Sequence, residues 1–202
     1  MPISVDELRT LGNQAVLELP KTAFFCSREY PAAIERATYL WAMEQRMNKH
    51  CVLSGFHSKL EQTVLRYLRQ DGNHPIAYAL GRGIQSGLAF EYERELTTGQ
   101  LLFLSPFETN VAIVTKETVA IRNLLLADLA DDFFVPYVTT NGNLEQLLAN
   151  PLAQNKPILT LDLPANRYLL DLGAEVYQPN LLLSSHDSWL LGGPTLPNEP
   201  AN

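Results

Sequence analysis

Short apolar runs, each followed by a stretch of helical periodicity, recur along this chain and restrict its fold more than any other feature. The runs are Thr22–Cys26 (TAFFC), Cys51–Ser54, Pro75–Leu80 (PIAYAL), Leu101–Ser105 (LLFLS), Phe133–Val138 and Pro157–Leu163 (PILTLDL). Between the first two, residues 32–48 place Ile34, Ala37, Leu40, Trp41 and Met47 on one stripe, the spacing of a helix packed on a sheet. Ser58–Arg69 repeats the pattern with Leu60, Val64, Leu65 and Leu68 inward. Thr115 caps a predicted helix from Lys116 to Ala130. Further helices are expected to start near Leu144 and to span Ala165–Leu172, and Ile84–Gln100 is irregular, with a short helix around Ala89–Leu96. Glu175–Tyr177 reads as an edge strand. A strand that is apolar along its whole length is covered on both faces, as in parallel sheets flanked by helices. The expected fold is therefore a doubly wound, mostly parallel, Rossmann-like α/β domain with right-handed crossovers.

At 202 residues the chain has the length of one domain with small appendages. The reading divides it into an N-terminal segment at 1–20 with a short helix over Val5–Leu17, a domain at 21–178, and an arm and flexible tail at 179–202. That tail carries Leu181–Leu183 and Trp189–Leu191. A hydrophobic content of 46% excludes disorder, and a chain of this size buries about 70% of its unfolded surface without a staple. Asp6, Glu7 and Arg9 interrupt any leader-like core, and no run approaches the roughly 18 apolar residues of a membrane span. Cys26 and Cys51 fall at opposite ends of adjacent parallel strands, roughly 13 Å apart at about 3.3 Å per residue. A disulfide needs its Cα atoms within about 7 Å, so free thiols and a cytoplasmic setting are expected. The net charge of -7 argues against a sequence-independent coat on nucleic acid and leaves local basic patches open.

In open α/β sheets, ligands bind beyond the carboxyl ends of strands. Those positions hold Ser27 and Arg28, Ser54 and Gly55, the Gly81-Arg82-Gly83 turn, Ser105, and Thr139, Thr140, Asn141 and Gly142. Small residues let an anion approach the backbone, and arginine offers a fork for phosphate. The G-x-G-x-x-G dinucleotide fingerprint, the G-x-x-x-x-G-K-[ST] phosphate loop and the G-x-S-x-G nucleophile elbow are absent. His50, His57, His74 and His186 lack metal-ligand spacing, and Asp131-Asp132 reads as the loop entering the fifth strand. No catalytic residue, metal or cofactor is assigned.

In order along the chain, these turn residues match a family. From Phe25 to about Ala174 the sequence resembles the Rossmann-like core of the DNA-processing A proteins (DprA, also called Smf), within a wider superfamily that includes the cytokinin-activating phosphoribohydrolases. The family's glycine-serine-arginine is Cys26-Ser27-Arg28 here, and its serine-glycine is Ser54-Gly55-Phe56. Its leucine-glycine-x-glycine turn is Leu80-Gly81-Arg82-Gly83, and its arginine-asparagine pair is Arg122-Asn123, with Ala127 four residues on. Asn141-Gly142-Asn143 and the segment from Lys156-Pro157 through Asn166 to Gly173-Ala174 complete the match. The chain departs from the pattern at Cys26, at Lys59-Leu60-Glu61, where Glu61 aligns with the family aspartate, at Leu65 and at Val119-Ala120-Ile121. The proline-glycine-glycine loop of the phosphoribohydrolases is missing, and 202 residues leave no room for the family's N-terminal helical module and C-terminal winged helix.

The resemblance implies a non-enzymatic, bacterial-type DNA-processing protein that binds single-stranded DNA or a nucleotide in a cleft at the carboxyl edge of the sheet. It implies a recombinase as partner, self-association, and no membrane. The candidate ligand and phosphate residues are Ser27, Arg28, Ser54, Gly55, Gly81, Arg82, Gly83, Arg122, Asn123, Asn141 and Gly142. For Phe56, core packing is expected over stacking on a base. The alternatives are a nucleotide or small-molecule sensor, a nucleotide-cleaving enzyme of the same superfamily with Glu61 as its carboxylate, or a scaffold acting through its Leu- and Trp-bearing tail.

Overall fold

The computed structural model describes residues 8–70 and 72–179. Eight strands form one sheet: β1 (Arg9–Gly12), β2 (Lys21–Phe24), β3 (Cys51–Ser54), β4 (Ile76–Ala79), β5 (Leu101–Ser105), β6 (Asp132–Val135), β7 (Ile158–Thr160) and β8 (Glu175–Val176). Their spatial order is β1-β5-β4-β3-β2-β6-β7-β8. Every pairing is parallel except that of β1 with β5, where Arg9 faces Ser105 and Gly12 faces Leu102. The helices are α1 (Glu35–Asn48), α2 (Lys59–Leu68), α3 (Gly87–Glu91), α4 (Glu93–Thr97), α5 (Lys116–Leu129), α6 (Asn143–Leu148) and α7 (Arg167–Asp171).

The apolar runs alternate between two cores. Phe24, Val52, Ile76, Phe103 and Phe134 point to the face covered by α1 and α2, where they meet Trp41, Leu60, Val64 and Leu68. Ala23, Phe25, Leu53, Ala77, Leu102 and Phe133 point to the other face, against Leu126, Ala127 and Leu169. Trp41 stacks on Phe134 with ring centroids 4.3 Å apart and tilts against Phe24 at 5.3 Å. Each aromatic pair of this kind adds about 0.5–1.5 kcal/mol beyond its burial.

The doubly wound, mostly parallel fold expected from the sequence is the fold observed, with one correction at the start. In the described part of Val5–Leu17 the chain forms strand β1 and then a 3-10 turn over Gln14–Glu18, not an α-helix. Gly12 at φ 113° breaks the run, and a Cβ there would lie 2.2 Å from the Leu101 carbonyl oxygen, so the chain crosses β5 too closely for a helix. The irregular stretch holds two short helices, α3 and α4, in place of one around Ala89–Leu96. The expectations for Leu181–Leu183, His186, Trp189–Leu191 and the tail from Pro194 lie outside the described residues.

Cys26 and Cys51 are buried and unpaired, and burial pushes the Cys51 thiol up to about 12. Among the described residues no helix is long and apolar enough to cross a membrane. At the amino edge of the sheet, Asp131 accepts the Lys21 backbone N–H at 2.8 Å and pairs with Lys21 Nζ at 3.1 Å. Asp131 and Asp132 therefore stand at the end of the sheet opposite the strand-end loops. Lys156 Nζ donates to the carbonyls of Ala127, Asp128 and Ala130 at 2.7 Å each. One ammonium thereby closes the carboxyl end of α5, where the helix dipole favours a cation.

His74, 3% exposed, precedes β4, and neither ring nitrogen has a hydrogen-bond partner among the described residues. Burial, with Arg46 and His50 adding to it, lowers its pKa to about 4, below the ordinary value near 6.5. The folded state thus holds His74 neutral where the unfolded chain binds a proton. This contribution to stability is complete above pH 6.5 and is lost as pH falls toward 4, at up to about 1.4 kcal/mol per pH unit. Urea unfolding followed between pH 7 and 4 is expected to give a steeper loss for the native chain than for His74→Leu.

Candidate functional site

The order of strands sets where a cavity can form. From β2 the chain moves outward through β3, β4 and β5, then returns to place β6 on the other side of β2. The loops leaving β2 and β6 therefore diverge, and a crevice opens between them at the carboxyl edge. A cavity of about 570 Å³ lies at this switch point. Phe25–Glu29 after β2, His57, Ser58 and Glu61 at the start of α2, Val114–Lys116 with Val119, Arg122 and Asn123 of α5, and Thr139 with Gly142–Leu144 after β6 line it.

The floor is built around two buried charges. Ser58 caps α2, its hydroxyl accepting the Glu61 N–H at 3.2 Å. Glu61 Oε2 returns the contact by accepting the N–H groups of His57 at 2.7 Å and Ser58 at 2.8 Å. Glu61 is only 7% exposed, and its carboxylate takes up the N–H groups of His57 and Ser58 just ahead of α2. Phe56, at φ 42°, turns the backbone so that these N–H groups converge on Glu61. Its ring is fully buried and meets Tyr78 edge to face at 5.1 Å, so Phe56 packs the core as expected. Glu61 Oε1 accepts no hydrogen bond among the described residues.

Arg122 is 6% exposed, and its guanidinium lies over Gly55. A Cβ at residue 55 would fall 2.2 Å from Arg122 Cζ, so this glycine is what admits the guanidinium. Nε and a terminal nitrogen of Arg122 donate to Asn123 Oδ1 at 3.1 and 2.7 Å, and the Asn123 amide NH₂ has no acceptor among the described residues. Burial lowers the Arg122 pKa, and the nearby charge of Glu61 opposes that shift. No ion pair or hydrogen bond joins Arg122 to Glu61 among the described residues. Cys26 also borders the cavity. Burial, with the Glu61 charge adding to it, raises its thiol far above the ordinary range, so this sulfur is held protonated.

The rim is polar and open. The Ser27 hydroxyl accepts the Thr139 N–H at 2.8 Å and the Ser27 N–H donates to the Tyr137 carbonyl at 3.2 Å, tying the β2 loop to the β6 loop. Arg28 and Lys116 are exposed and have no ion-pair partner among the described residues.

Of the residues named from sequence, Ser27, Arg28, Arg122, Asn123 and Gly142 come together around the cavity, and six do not line it. Ser54 is buried, its hydroxyl accepting the Phe56 N–H at 3.2 Å. Gly55 lies beneath Arg122. Gly81 packs beneath the Val114 methyl, 3.3 Å from the Cβ it lacks. The Gly83 N–H donates to the Val111 carbonyl at 2.8 Å, and the Arg82 carbonyl accepts from the Ser105 hydroxyl at 2.7 Å. That turn thus supports the neighbouring loop, which β1 also holds through the Arg9–Glu108 ion pair. Asn141, at φ 59°, gives its N–H to the Glu145 carboxylate. The sequence reading missed Lys116 as a site residue. The signal was present, because Thr115 marks a helix start that follows a strand and must lie at the carboxyl edge.

No protein-family model and no curated protein matches the sequence. Solved structures do. DNA processing protein A from Helicobacter pylori, described for its single-stranded DNA binding mode, superposes with a TM-score of 0.70 at 19% identity. The match covers 88% of this chain and 85% of that one. DprA from Streptococcus pneumoniae gives 0.67 at 16% identity, over 92% of this chain and 70% of that one. The molybdenum cofactor binding protein of Rippkaea orientalis gives 0.51 at 10% identity, over 85% and 98%. The chain has the Rossmann-like fold of the DprA proteins.

Removal of the Glu61 carboxylate leaves the His57 and Ser58 N–H groups without this acceptor and Arg122 without its counter-charge. Glu61→Ala is expected to lower the unfolding free energy by about 2 kcal/mol, measured in urea. Asn123→Ala, which removes only the acceptor of Arg122, is expected to cost about 1 kcal/mol by the same measurement.

Proposed function

We propose that the cavity between the β2 and β6 loops binds single-stranded DNA. The observation that carries this reading is the placement of unpaired Arg28 and Lys116 at the open rim of a cavity at the switch point of the sheet. The lining holds three cations against two carboxylates, in a chain whose net charge is -7. Cations have therefore been gathered here against the overall balance. Support also comes from the fold, shared with an H. pylori protein described as binding single-stranded DNA.

In this reading the sugar–phosphate backbone runs along the rim. Arg28 and Lys116 hold successive phosphates, and the Ser27 hydroxyl and the Asn143 side chain supply neutral donors. Arg122, Asn123 and Gly142 belong to the floor and far wall. Ser54, Gly55, Gly81, Arg82, Gly83 and Asn141 act beneath the strand by fixing the loops that carry these groups. The family resemblance extends the proposal to a recombinase that receives the strand and to self-association of this chain. The two free cysteines support a reducing, cytoplasmic setting.

Polarization of a labelled single-stranded oligonucleotide at low salt tests the reading. Binding is expected to weaken as salt rises. Arg28→Ala and Lys116→Ala are each expected to weaken it about fivefold and to flatten the log–log salt dependence by about 0.7, the increment for one phosphate contact on a single strand. Absence of binding at low salt overturns the proposal.

A further inference from the structure

The floor of the cavity differs from its rim in a way that phosphate chemistry does not explain. Glu61 and Arg122 are both more than nine-tenths buried, both border the cavity, and neither contacts the other among the described residues. A phosphate drawn to Arg122 would enter beside the Glu61 carboxylate, whose unpartnered Oε1 repels it. The N–H groups of His57 and Ser58, at the entrance to α2, are already taken by Glu61 Oε2. Opposite charges held in a low-dielectric floor without touching are costly unless a third group joins them. The group that fits offers a hydrogen-bond donor to Glu61 and, next to it, an acceptor to Arg122 and to the free NH₂ of Asn123.

We infer that the floor takes the donor–acceptor edge of a nucleobase between Glu61 and Arg122, while the phosphates stay at the rim. The inference rests on the single-stranded DNA reading and deepens it, by making Glu61 a residue that reads the base. Each base carries a suitable edge: an amino or imino N–H to meet the carboxylate, with a ring nitrogen or carbonyl oxygen beside it for the arginine. A buried carboxylate is a poor partner for an anion and a strong acceptor for such an N–H. The hydroxyl of Ser27 and the exposed cations lie above this level, where a backbone enters.

Two comparisons combined test the inference. Oligonucleotide and abasic oligonucleotide of equal length are titrated against the native chain and against Glu61→Gln. Glutamine keeps a carbonyl oxygen for the α2 cap and turns the group facing the cavity from an acceptor into a donor. Loss of the bases removes stacking equally in both proteins. The native chain is therefore expected to show at least a tenfold larger preference for the base-bearing strand than Glu61→Gln. A structural role alone for Glu61 lowers both affinities together and leaves that ratio unchanged, which overturns the inference. Retained salt-dependent binding with an unchanged ratio sinks the floor assignment and leaves the DNA reading standing, whereas no binding by the native chain at low salt sinks both.

Amide shifts of the native chain give a second readout that does not depend on the variant folding. Deoxycytidine, which has no phosphate, is expected to move the Gly55 and Glu61 amide signals, and inorganic phosphate those of Arg28 and Lys116. Nucleoside that leaves Gly55 and Glu61 unmoved, or phosphate that moves them, overturns the assignment.

Discussion

Burial of the central strands on both faces is the constraint on which the rest of this structure depends. Side chains from β2, β3, β4, β5 and β6 alternate between two cores with no solvent-facing side. Polar groups are thereby expelled to the strand ends. The two ends then take different work. The amino edge collects Lys21, Asp131, Asp132 and His74, with Asp131 holding Lys21 at the start of β2, while the carboxyl edge opens where β2 and β6 part company. The cavity follows from the order of strands as much as from any one residue.

Within that crevice the chain spends its own groups before any ligand arrives. A helix start at a cavity favours an anion, and the entrance to α2 already carries the chain's own Glu61 carboxylate on the His57 and Ser58 N–H groups. Arg122 reaches the floor only because Gly55 presents no side chain. The result is a division of labour: desolvated charges below and exposed cations above. Buried charges are costly and geometrically specific, whereas exposed ones act at longer range and are screened by salt.

Most of the fold was legible in the sequence because fully buried strands leave an unmistakable mark. TAFFC, LLFLS and the Thr115 cap each led to an element within a residue or two of its observed limits. Strand β1 was not legible. Its four residues alternate weakly, and its place in the sheet depends on an antiparallel partner some ninety positions away. The site was only half legible. Small residues at strand ends serve turns and ligands alike, and sequence does not separate Gly81 or Gly83, which seat a neighbouring loop, from Gly142, which borders the cavity. The burial of Arg122 depends on tertiary contacts that no local pattern encodes, whereas the turning of Glu61 onto its own helix follows the local Ser58-x-x-Glu61 capping-box spacing.

The antiparallel strand at one margin of the sheet has a consequence of a different kind. Parallel sheets end in rows of unpaired backbone groups, and a long, flat, apolar margin invites another chain to continue the ladder. β5 is entirely buried and, but for Ser105 at its end, apolar, the most hazardous strand here to leave uncovered, and β1 lies along it with polar Arg9 and Thr10 and a terminating glycine. At the other margin of the described sheet, β8 is two residues long and carries exposed Glu175. Both margins are thus blunted, one by a short cover strand and the other by brevity and charge, so this sheet offers little template for edge-to-edge aggregation.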